Sequence, residues 1–267
     1  MTDVCIGLLK VNKANFGIDA TNRATEFSMA VQQANAILKS QQKGSGIRVL
    51  VAPEYYWSGY GQIGKIVKQH GPQPMSRDDK HDIYDALKSA SSQAGSLVLV
   101  AGSIFYQKPS GNSIAAYNVC PVLSNGKFLL NSYKQMDDGA ARKNPGALTF
   151  DYKTSAPYFK YDGVRFGIEV CGEHYDHAKG SARLKDWVNI NNKTIDIQIL
   201  ISDSTSINAP SVVATGFVVQ CDIGGTAGGI GVYPAGGAYG TATALKPVSV
   251  SGTQINGASI YCYKVSV

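Results

Sequence analysis

The chain is poor in charged residues and histidine, and it has no long apolar run. Only 16% of its 267 residues are charged, and only 4 are histidines. No stretch approaches the roughly 18 apolar residues that a membrane span needs. The 5 cysteines are an odd number, widely spaced and without a CxxC motif. That pattern argues against a disulfide framework and favours a reducing compartment.

Other absences exclude further classes of protein. The N-terminal apolar segment is too short for a signal peptide, so a cytoplasmic protein is expected. The net charge is +6, but the basic residues are scattered, which argues against nucleic-acid binding. No GxSxG elbow is present, and the glycine run 224–231 lacks the lysine of a phosphate loop. We therefore expect no cofactor, no nucleic-acid partner and no membrane partner.

What the chain does have is three apolar runs that each end in a chemically competent residue. They are VLVAPE (49–54), FLLNSYK (128–134) and VRFGIEVC (164–171). Such runs predict buried strands. In open α/β folds, ligand-binding and catalytic residues lie just beyond the carboxyl ends of the strands. Glu54, Lys134 and Cys171 are therefore the candidate catalytic residues of a hydrolase.

The remaining pattern predicts an α/β protein in which helices cover a mixed sheet, as one domain over residues 1–267. Three helices are predicted. The first spans 22–40, the second follows a Ser76–Asp79 capping box, and the third spans 177–190 with Leu184, Trp187 and Val188 inward. Strands are predicted at 4–11, 47–53, 96–106 and 194–202, with four short ones after residue 215. Asn125-Gly126 and Asp162-Gly163 predict two tight hairpins.

Each candidate residue also has a structural interpretation. A buried cysteine at a strand end is usually a small apolar side chain, and most lysines and glutamates are solvated. Gly172 favours the functional interpretation of Cys171, because its backbone amide can closely approach an oxyanion. The apolar residues that precede Glu54 predict that its carboxylate is buried, and burial raises the pKa of a carboxylate. A raised pKa suits a general base that works near neutral pH.

Together these residues resemble the nitrilase superfamily of carbon–nitrogen hydrolases. The resemblance covers roughly residues 4–205. It rests on motifs in the family's order: Asp19 and Asn22, Pro53-Glu54, Tyr117-Asn118, Asn125-Gly126-Lys127, Tyr133-Lys134, Gly167-Ile168-Glu169-Val170-Cys171 and Asp196-Ile197-Gln198-Ile199-Leu200.

The resemblance implies an α-β-β-α sandwich of two mixed sheets. It also implies that copies of the chain associate through their outer helices, as a homodimer or a larger homo-oligomer. It implies that Cys171 attacks an amide or nitrile carbon and forms a thioester-type acyl-enzyme. Glu54 would move the protons and activate water. Lys134 and the Gly172 amide would hold the oxyanion.

Two departures from the family pattern leave the substrate class open. Many members carry a second glutamate several residues beyond the lysine, whereas the segment 135–143 has none and offers only Asp137 and Asp138. After the cysteine, many members have an aromatic residue and then an acid. Here the cysteine is followed by Gly172-Glu173-His174.

Further residues are candidates for the substrate pocket. Tyr55, Tyr56, Trp57 and Tyr60 follow Glu54 directly and are candidates for its wall, although ordinary packing explains them equally well. Glu169 shares the strand parity of Cys171, so it either hydrogen-bonds in the site or is a paired interior acid.

One short cluster combines acids and histidines. Glu173, His174, Asp176 and His177 lack a strong metal-ligand motif, and a pocket or surface role is favoured over a metal.

Three functional hypotheses remain. The leading one is an amidase-type hydrolase of a linear amide or carbamoyl C–N bond in a small molecule. The second is a nitrilase, or an acyltransferase with an acceptor other than water. The third is a catalytically silent relative that binds a ligand or partner protein. The loops at 55–75, 135–157 and 204–215 are expected to set the substrate.

Overall fold

The computed structural model describes most of the chain. The described residues are 1–11, 20–42, 44–58, 72–137, 139, 148–175, 183–223, 229–240, 243–253 and 258–267.

Helices and strands alternate at the start of the chain, and strands dominate its second half. The helices are α1 (Ala20–Gln41), α2 (Arg77–Ala94) and α3 (Arg183–Asn191). The strands are β1 (Asp3–Lys10), β2 (Gly46–Ala52), β3 (Leu97–Ala101), β4 (Ile104–Ser110), β5 (Ser113–Ser124), β6 (Lys127–Tyr133), β7 (Leu148–Phe150), β8 (Tyr158–Tyr161), β9 (Val164–Val170), β10 (Ile195–Ser202), β11 (Ala214–Asp222), β12 (Ile230–Pro234), β13 (Ser249–Gly252) and β14 (Ser259–Ser266). Within the described ranges, no helix is long and apolar enough to cross a membrane.

The strands form two mixed sheets. The first, sheet A, has the order β13-β14-β1-β2-β3-β5-β4, with β6 and β7 also paired to β5. The second, sheet B, has the order β12-β11-β10-β9-β8. The centres of both sheets are parallel, since β1, β2 and β3 run together, as do β9, β10 and β11. Parallel pairs need helical crossovers, and α1 and α2 supply them in sheet A.

Alternation along the strands divides the core into two layers. Val49 and Val51 face sheet B and pack with its apolar residues, while Leu50 between them faces α1 and α2. In β9, Phe166 and Ile168 likewise face sheet A. This period of two follows from the pleat, which sends successive side chains to opposite faces. The two inner faces therefore bury one continuous apolar layer.

Helices cover the outer faces. α1 and α2 pack on sheet A. On sheet B, Leu184 of α3 packs against Gly167, where a Cβ atom would lie only 2.5 Å from the leucine. The α-β-β-α sandwich expected from the sequence is thereby confirmed.

The local signals at turns and caps are also confirmed. The Ser76 hydroxyl accepts a hydrogen bond from the Asp79 amide, and the Asp79 carboxylate accepts one from the Ser76 amide. Both hairpin turns have the two consecutive positive φ angles of a type I′ turn: 51° and 72° at Asn125-Gly126, and 46° and 87° at Asp162-Gly163.

Two expectations from the sequence need correction. The single strand predicted at 96–106 is two strands, because Gly102 has φ +72° and interrupts the extended conformation between β3 and β4. The third helix begins at Arg183 among the described residues, and its predicted start at 177–182 lies outside them. Of its three predicted inward residues only Leu184 is fully buried. Trp187 is half-buried and stacks on Tyr158 instead.

We expect Gly102→Ala to destabilise the protein by about 2–5 kcal/mol. The positive φ costs alanine about 1–2 kcal/mol, and overpacking adds about 1–3 kcal/mol. The added Cβ would lie 2.5 Å from the Pro53 carbonyl oxygen, so it would also push on the segment that carries Glu54. Urea unfolding measures the effect.

The matched control for this substitution is Gly111→Ala. Gly111 has a similar φ of +60°, but nothing lies within 4 Å of its added Cβ. Equal destabilisation by the two variants would contradict the argument that the close approach to Pro53 matters.

Candidate active site

The carboxyl ends of the parallel strands in both sheets meet at one edge of the sandwich. The Cys221 thiol, near the end of β11, lies 3.6 Å from the Leu9 carbonyl and 3.4 Å from the Val51 carbonyl. These carbonyls lie near the ends of β1 and β2. Because β9 and β10 run parallel to β11, the end of β9 points to the same edge. Glu54 and Cys171 follow β2 and β9 there.

Glu54 and Lys134 form a buried ion pair. The Lys134 Nζ atom lies 2.8 Å from Glu54 Oε1, and both side chains are 0% exposed. Two charges buried together need close pairing and further hydrogen bonds, because desolvation otherwise outweighs their attraction. The sequence predicted both residues as catalytic, and the structure brings them into direct contact.

Asn118 supplies one of the further hydrogen bonds. Its side-chain amide donates to Glu54 Oε1 at 3.0 Å, and its backbone carbonyl accepts from the Lys134 amide at 2.8 Å. One residue of β5 thus orients both members of the pair. Sequence reasoning gave Asn118 no role. A polar residue within an otherwise apolar buried strand was the available signal.

The turn between β3 and β4 holds the segment after Glu54. The Tyr55 amide donates to the Ser103 hydroxyl at 2.9 Å, next to the close approach of Gly102 to Pro53. Tyr55 itself has φ +53°, an uncommon conformation for a bulky residue. Lys134 Nζ lies 5.8 Å from the centre of its ring. Tyr55 therefore borders the ion pair, and its place in the wall of a substrate pocket stays a prediction.

Cys171 begins a short 3-10 turn at the end of β9. It has φ +52°, and it is 6% exposed. Its Sγ atom lies 2.9 Å from the Thr205 hydroxyl and 3.7 Å from the Asp203 carbonyl, both in the loop after β10. A non-glycine residue with positive φ at a strand end is a strained position of the kind that clusters at functional sites.

The other four thiols differ in their environment. Cys5, Cys120, Cys221 and Cys262 all lie within strands of the core. Burial raises the pKa of each of these thiols. A thiol with a raised pKa is a poor nucleophile at neutral pH. The position of Cys171 beyond a strand end therefore distinguishes it from the others.

Glu173 ties the cysteine turn to the lysine segment. Its Oε1 atom accepts from the Gln135 amide at 2.6 Å, directly after Lys134, and its Oε2 atom accepts from the Val170 amide at 2.9 Å. Burial raises the pKa of Glu173, and its partner Arg183 and these amides act in the opposite direction. These contacts hold the cysteine turn against the segment that follows Lys134, and the predicted pocket role of Glu173 stays a prediction.

Arg183 at the start of α3 completes this link. One guanidinium nitrogen lies 2.7 Å from Glu173 Oε1, and the other donates to the Ser155 carbonyl at 2.6 Å. Sequence reasoning missed this residue. It is separated along the chain from every element it joins, and an arginine in the first turn of a helix is not in itself a signal.

We expect Arg183→Met to destabilise the protein in a pH-dependent way. Without the guanidinium, the folded-state pKa of Glu173 rises further above its unfolded value. A carboxyl group with a raised folded pKa stabilises the fold at acidic pH, and this stability is lost as the pH rises through that pKa. The loss relative to the unsubstituted protein should therefore be smaller near pH 5, where mainly the hydrogen bonds to Ser155 are lost, and about 2–4 kcal/mol at pH 8.

Urea unfolding at the two pH values tests this expectation. Lys88→Met is the control, because it also removes one positive charge but breaks only the exposed pair with Asp85. It should change little at either pH. A loss for Arg183→Met that is equal at pH 5 and pH 8 would contradict the assignment to Glu173.

Glu169 and His174 lie together on the helix-facing side of sheet B. His174 Nδ1 is 2.6 Å from Glu169 Oε2, while His174 Nε2 accepts from the Asn208 amide at 2.9 Å. Nδ1 therefore carries the proton. Glu169 Oε2 also accepts from the Gln198 side chain at 2.7 Å. Of the two alternatives for Glu169, these contacts are those of a paired interior acid, and its role in the substrate pocket stays a prediction.

The remaining predicted residues are three aromatic candidates for the pocket wall and Gly172, the predicted oxyanion donor. Tyr56 and Trp57 are 1% exposed and pack against Phe27 of α1, so their contacts give the pocket prediction no support. Tyr60 lies outside the described residues, and its pocket role stays a prediction. Gly172 is buried and its carbonyl accepts from the Tyr175 amide. The oxyanion role of its own N–H also stays a prediction.

A metal site is not formed by the part of the chain that the structure describes. No group of three or more histidine, cysteine, aspartate or glutamate side chains is placed to hold an ion there. Asp176 and His177 of the sequence cluster lie outside the described ranges.

Sequence comparisons identify no relative for this chain. No protein-family profile matches it. No curated protein matches it either.

Solved structures do match it. Nit3 of Saccharomyces cerevisiae, a member of branch 10 of the nitrilase superfamily, superposes with a TM-score of 0.60 at 14% identity, over 98% of this chain and 90% of that one. A variant of the amidase of Nesterenkonia AN1, also of the nitrilase superfamily, gives a TM-score of 0.58 at 12% identity, with the same coverages.

A third structure, of another variant of that amidase, contains a covalent adduct. The Nesterenkonia sp. AN1 amidase, here with the acetamide moiety of fluoroacetamide covalently added at its active-site cysteine, gives a TM-score of 0.58 at 11% identity over 98% of this chain and 90% of that one. At such identities the likeness establishes the fold. The chain has the fold of the nitrilase superfamily, as its strand-end motifs indicated.

Proposed function

We propose that this protein is a carbon–nitrogen hydrolase of the nitrilase superfamily, acting on a linear amide or carbamoyl group of a small molecule. Cys171 is its nucleophile, Glu54 its general base and acid, and Lys134 its electrostatic stabiliser. The observation that carries the proposal is the buried pair of Glu54 and Lys134. Structural neighbours that include an amidase with an active-site cysteine support it.

The contacts around the pair support a catalytic role over a purely structural one. A buried ion pair seldom adds more stability than apolar residues of the same size, so stability alone is a weak reason for its presence. Here Asn118 orients the pair, and Glu173 links the lysine segment to the cysteine turn. A carboxylate, an ammonium and a thiol gathered at one edge supply a base, an oxyanion partner and a nucleophile.

Acylation would proceed as follows. Cys171 Sγ attacks the amide carbon while its proton passes to Glu54, and a C–S bond forms. The tetrahedral oxyanion is held by the Lys134 ammonium and the Gly172 amide. Glu54 then returns the proton to the departing nitrogen, the C–N bond breaks, and ammonia or an amine leaves a thioester on Cys171.

Deacylation would use the same groups. Water attacks the thioester carbon and passes a proton to Glu54, while Lys134 again holds the oxyanion. The C–S bond breaks, and Glu54 returns the proton to the departing thiolate. The products are a carboxylic acid and the original thiol. A general base that works in both half-reactions needs to stay close to the nucleophile, which a buried and anchored carboxylate provides.

The test is ammonia release from a panel of small amides, carbamoyl compounds and nitriles, combined with intact-mass measurement. We expect ammonia release from at least one amide, together with an acyl adduct that maps to Cys171. An ester or hydroxamate formed when an acceptor is added would indicate an acyltransferase, and turnover of nitriles alone would indicate a nitrilase. No ammonia and no adduct from any compound would refute the proposal.

A further inference from the structure

The loop after β10 places a hydroxyl group against the candidate nucleophile. Thr205 Oγ1 lies 2.9 Å from Cys171 Sγ, and the Asp203 carbonyl lies 3.7 Å from the same sulfur. Thr205 is distant in sequence from Glu54, Lys134 and Cys171. Its hydroxyl is a hydrogen-bond donor as well as an acceptor, unlike the Asp203 carbonyl.

A buried carboxylate holds this loop in place. Asp222 ends β11 and is 5% exposed. Its Oδ2 atom accepts from the Ser202 hydroxyl at 2.6 Å, the Ser204 amide at 2.7 Å and the Thr205 amide at 3.2 Å. Hydrogen bonds to an ionised carboxylate are among the strong ones. The backbone before Thr205 is thus tied to the end of the neighbouring strand.

A second anchor fixes the other side of Thr205. The Gln220 side chain donates to the Thr205 carbonyl at 2.6 Å. Gln220 and Asp222 have the same parity in β11, so both point to one face of sheet B. Ser204 adopts φ +70°, which the surrounding hydrogen bonds sustain. The peptide groups on both sides of Thr205 are therefore held, and the direction of its side chain is set by the fold.

We propose that Thr205 is a further residue of the active site, whose hydroxyl donates a hydrogen bond to the Cys171 thiolate, and that Asp222 is the positioning residue that holds it there. The inference deepens the proposed function, because it depends on Cys171 being the nucleophile.

The direction of the hydrogen bond follows from the different chemistry of the Asp203 carbonyl and the Thr205 hydroxyl. In the thiol form, the S–H group donates to the Asp203 carbonyl, and a sulfur lone pair accepts from Thr205. Once the proton has left, the carbonyl has nothing to accept, whereas the hydroxyl still donates. A hydrogen bond to the charged form of a group favours that form. Thr205 therefore makes the thiolate easier to form.

The pH dependence of Cys171 alkylation by iodoacetamide tests the proposal in the intact protein, without a known substrate. Thr205→Val keeps the shape of the side chain and removes the hydroxyl. We expect the pH of half-maximal alkylation rate to rise by about one unit, or roughly tenfold in the ionisation constant. Thr205→Ser keeps the donor and should stay close to the unsubstituted protein.

Two further variants sharpen the test. Ser206→Ala removes a neighbouring hydroxyl from the same loop and should leave the profile unchanged. Asp222→Ala should shift it in the same direction as Thr205→Val. In a double variant the two shifts should not add, because both act through one hydrogen bond. The pH profile of alkylation distinguishes a positioning role of Asp222 from a general loss of stability, because thermal unfolding measures stability separately.

An unchanged profile in folded Thr205→Val, with rapid alkylation of Cys171, would overturn the role of Thr205 and leave the proposed function standing. If Cys171 in the unsubstituted protein reacts no faster than Cys5 or Cys262, both proposals fail.

Discussion

Replacement of Cys171 by alanine is expected to lower the rate of amide hydrolysis by about 10⁴-fold or more. Loss of a nucleophile removes the covalent pathway entirely, and in well-studied hydrolases only the much smaller contribution of binding and oxyanion stabilisation remains. Ammonia release at saturating substrate measures the change. Because the side chain is small and lies beyond a strand end, the free energy of unfolding should change little.

The control for this prediction uses another buried thiol. Cys262→Ala removes a thiol from β14 and should keep the turnover of the unsubstituted protein. The variant Cys171→Ser should also be inactive, because an alcohol is far less acidic than a thiol and is not ionised by the same base. Retention of more than a tenth of the activity in Cys171→Ala would exclude this residue as the nucleophile.

Loss of the ion pair between Glu54 and Lys134 is expected to have the second large effect. Glu54→Gln and Lys134→Met should each lower the free energy of unfolding by about 3–5 kcal/mol, because each leaves the other charge buried without its ion-pair partner. Each should also lower turnover by about 10³-fold or more, since the first removes the base and the second removes a cation at the oxyanion.

The double variant Glu54→Gln/Lys134→Met distinguishes the two effects. A neutral pair of similar volume needs no charge compensation, so we expect much of the lost stability to return while turnover stays as low as in the single variants. Urea unfolding of all four proteins gives the coupling energy for stability, and ammonia release from the same proteins shows whether turnover returns with it. Turnover that returns together with stability would show that the pair serves the fold and not the reaction.

Much of the fold follows from local patterns. The alternation of apolar residues in β2 and β9 is required by the pleat, and the turns Asn125-Gly126 and Asp162-Gly163 need residues that tolerate positive φ. These constraints act over a few residues, so they can be read from neighbouring positions. The same holds for Ser76, whose capping partner is three residues away.

The strand-end pattern that predicted three site residues also applies where it was not used. Asp222 ends the apolar strand β11, as Cys171 follows β9. The role of Asp222 became evident only from its hydrogen bonds to the loop after β10, because a lone aspartate at a strand end is more often a solvated turn residue. Asn118 and Arg183 had weaker signals still, since their partners lie far away along the chain.

By itself, the local pattern of the sequence determined most helices and strands, the hairpin turns and the candidate residues at the strand ends, because backbone geometry, apolar periodicity and turn chemistry act over a few residues. That pattern indicated one mixed sheet, and the division into two sheets was expected only from the resemblance to the nitrilase superfamily. The tertiary structure decided which of those residues meet. It paired Lys134 with Glu54 across 80 positions, placed the Thr205 hydroxyl against the Cys171 thiol and paired Glu169 with His174 on the helix-facing side of sheet B. Those contacts depend on sheet order and on the packing of two sheets, which no short window of sequence contains.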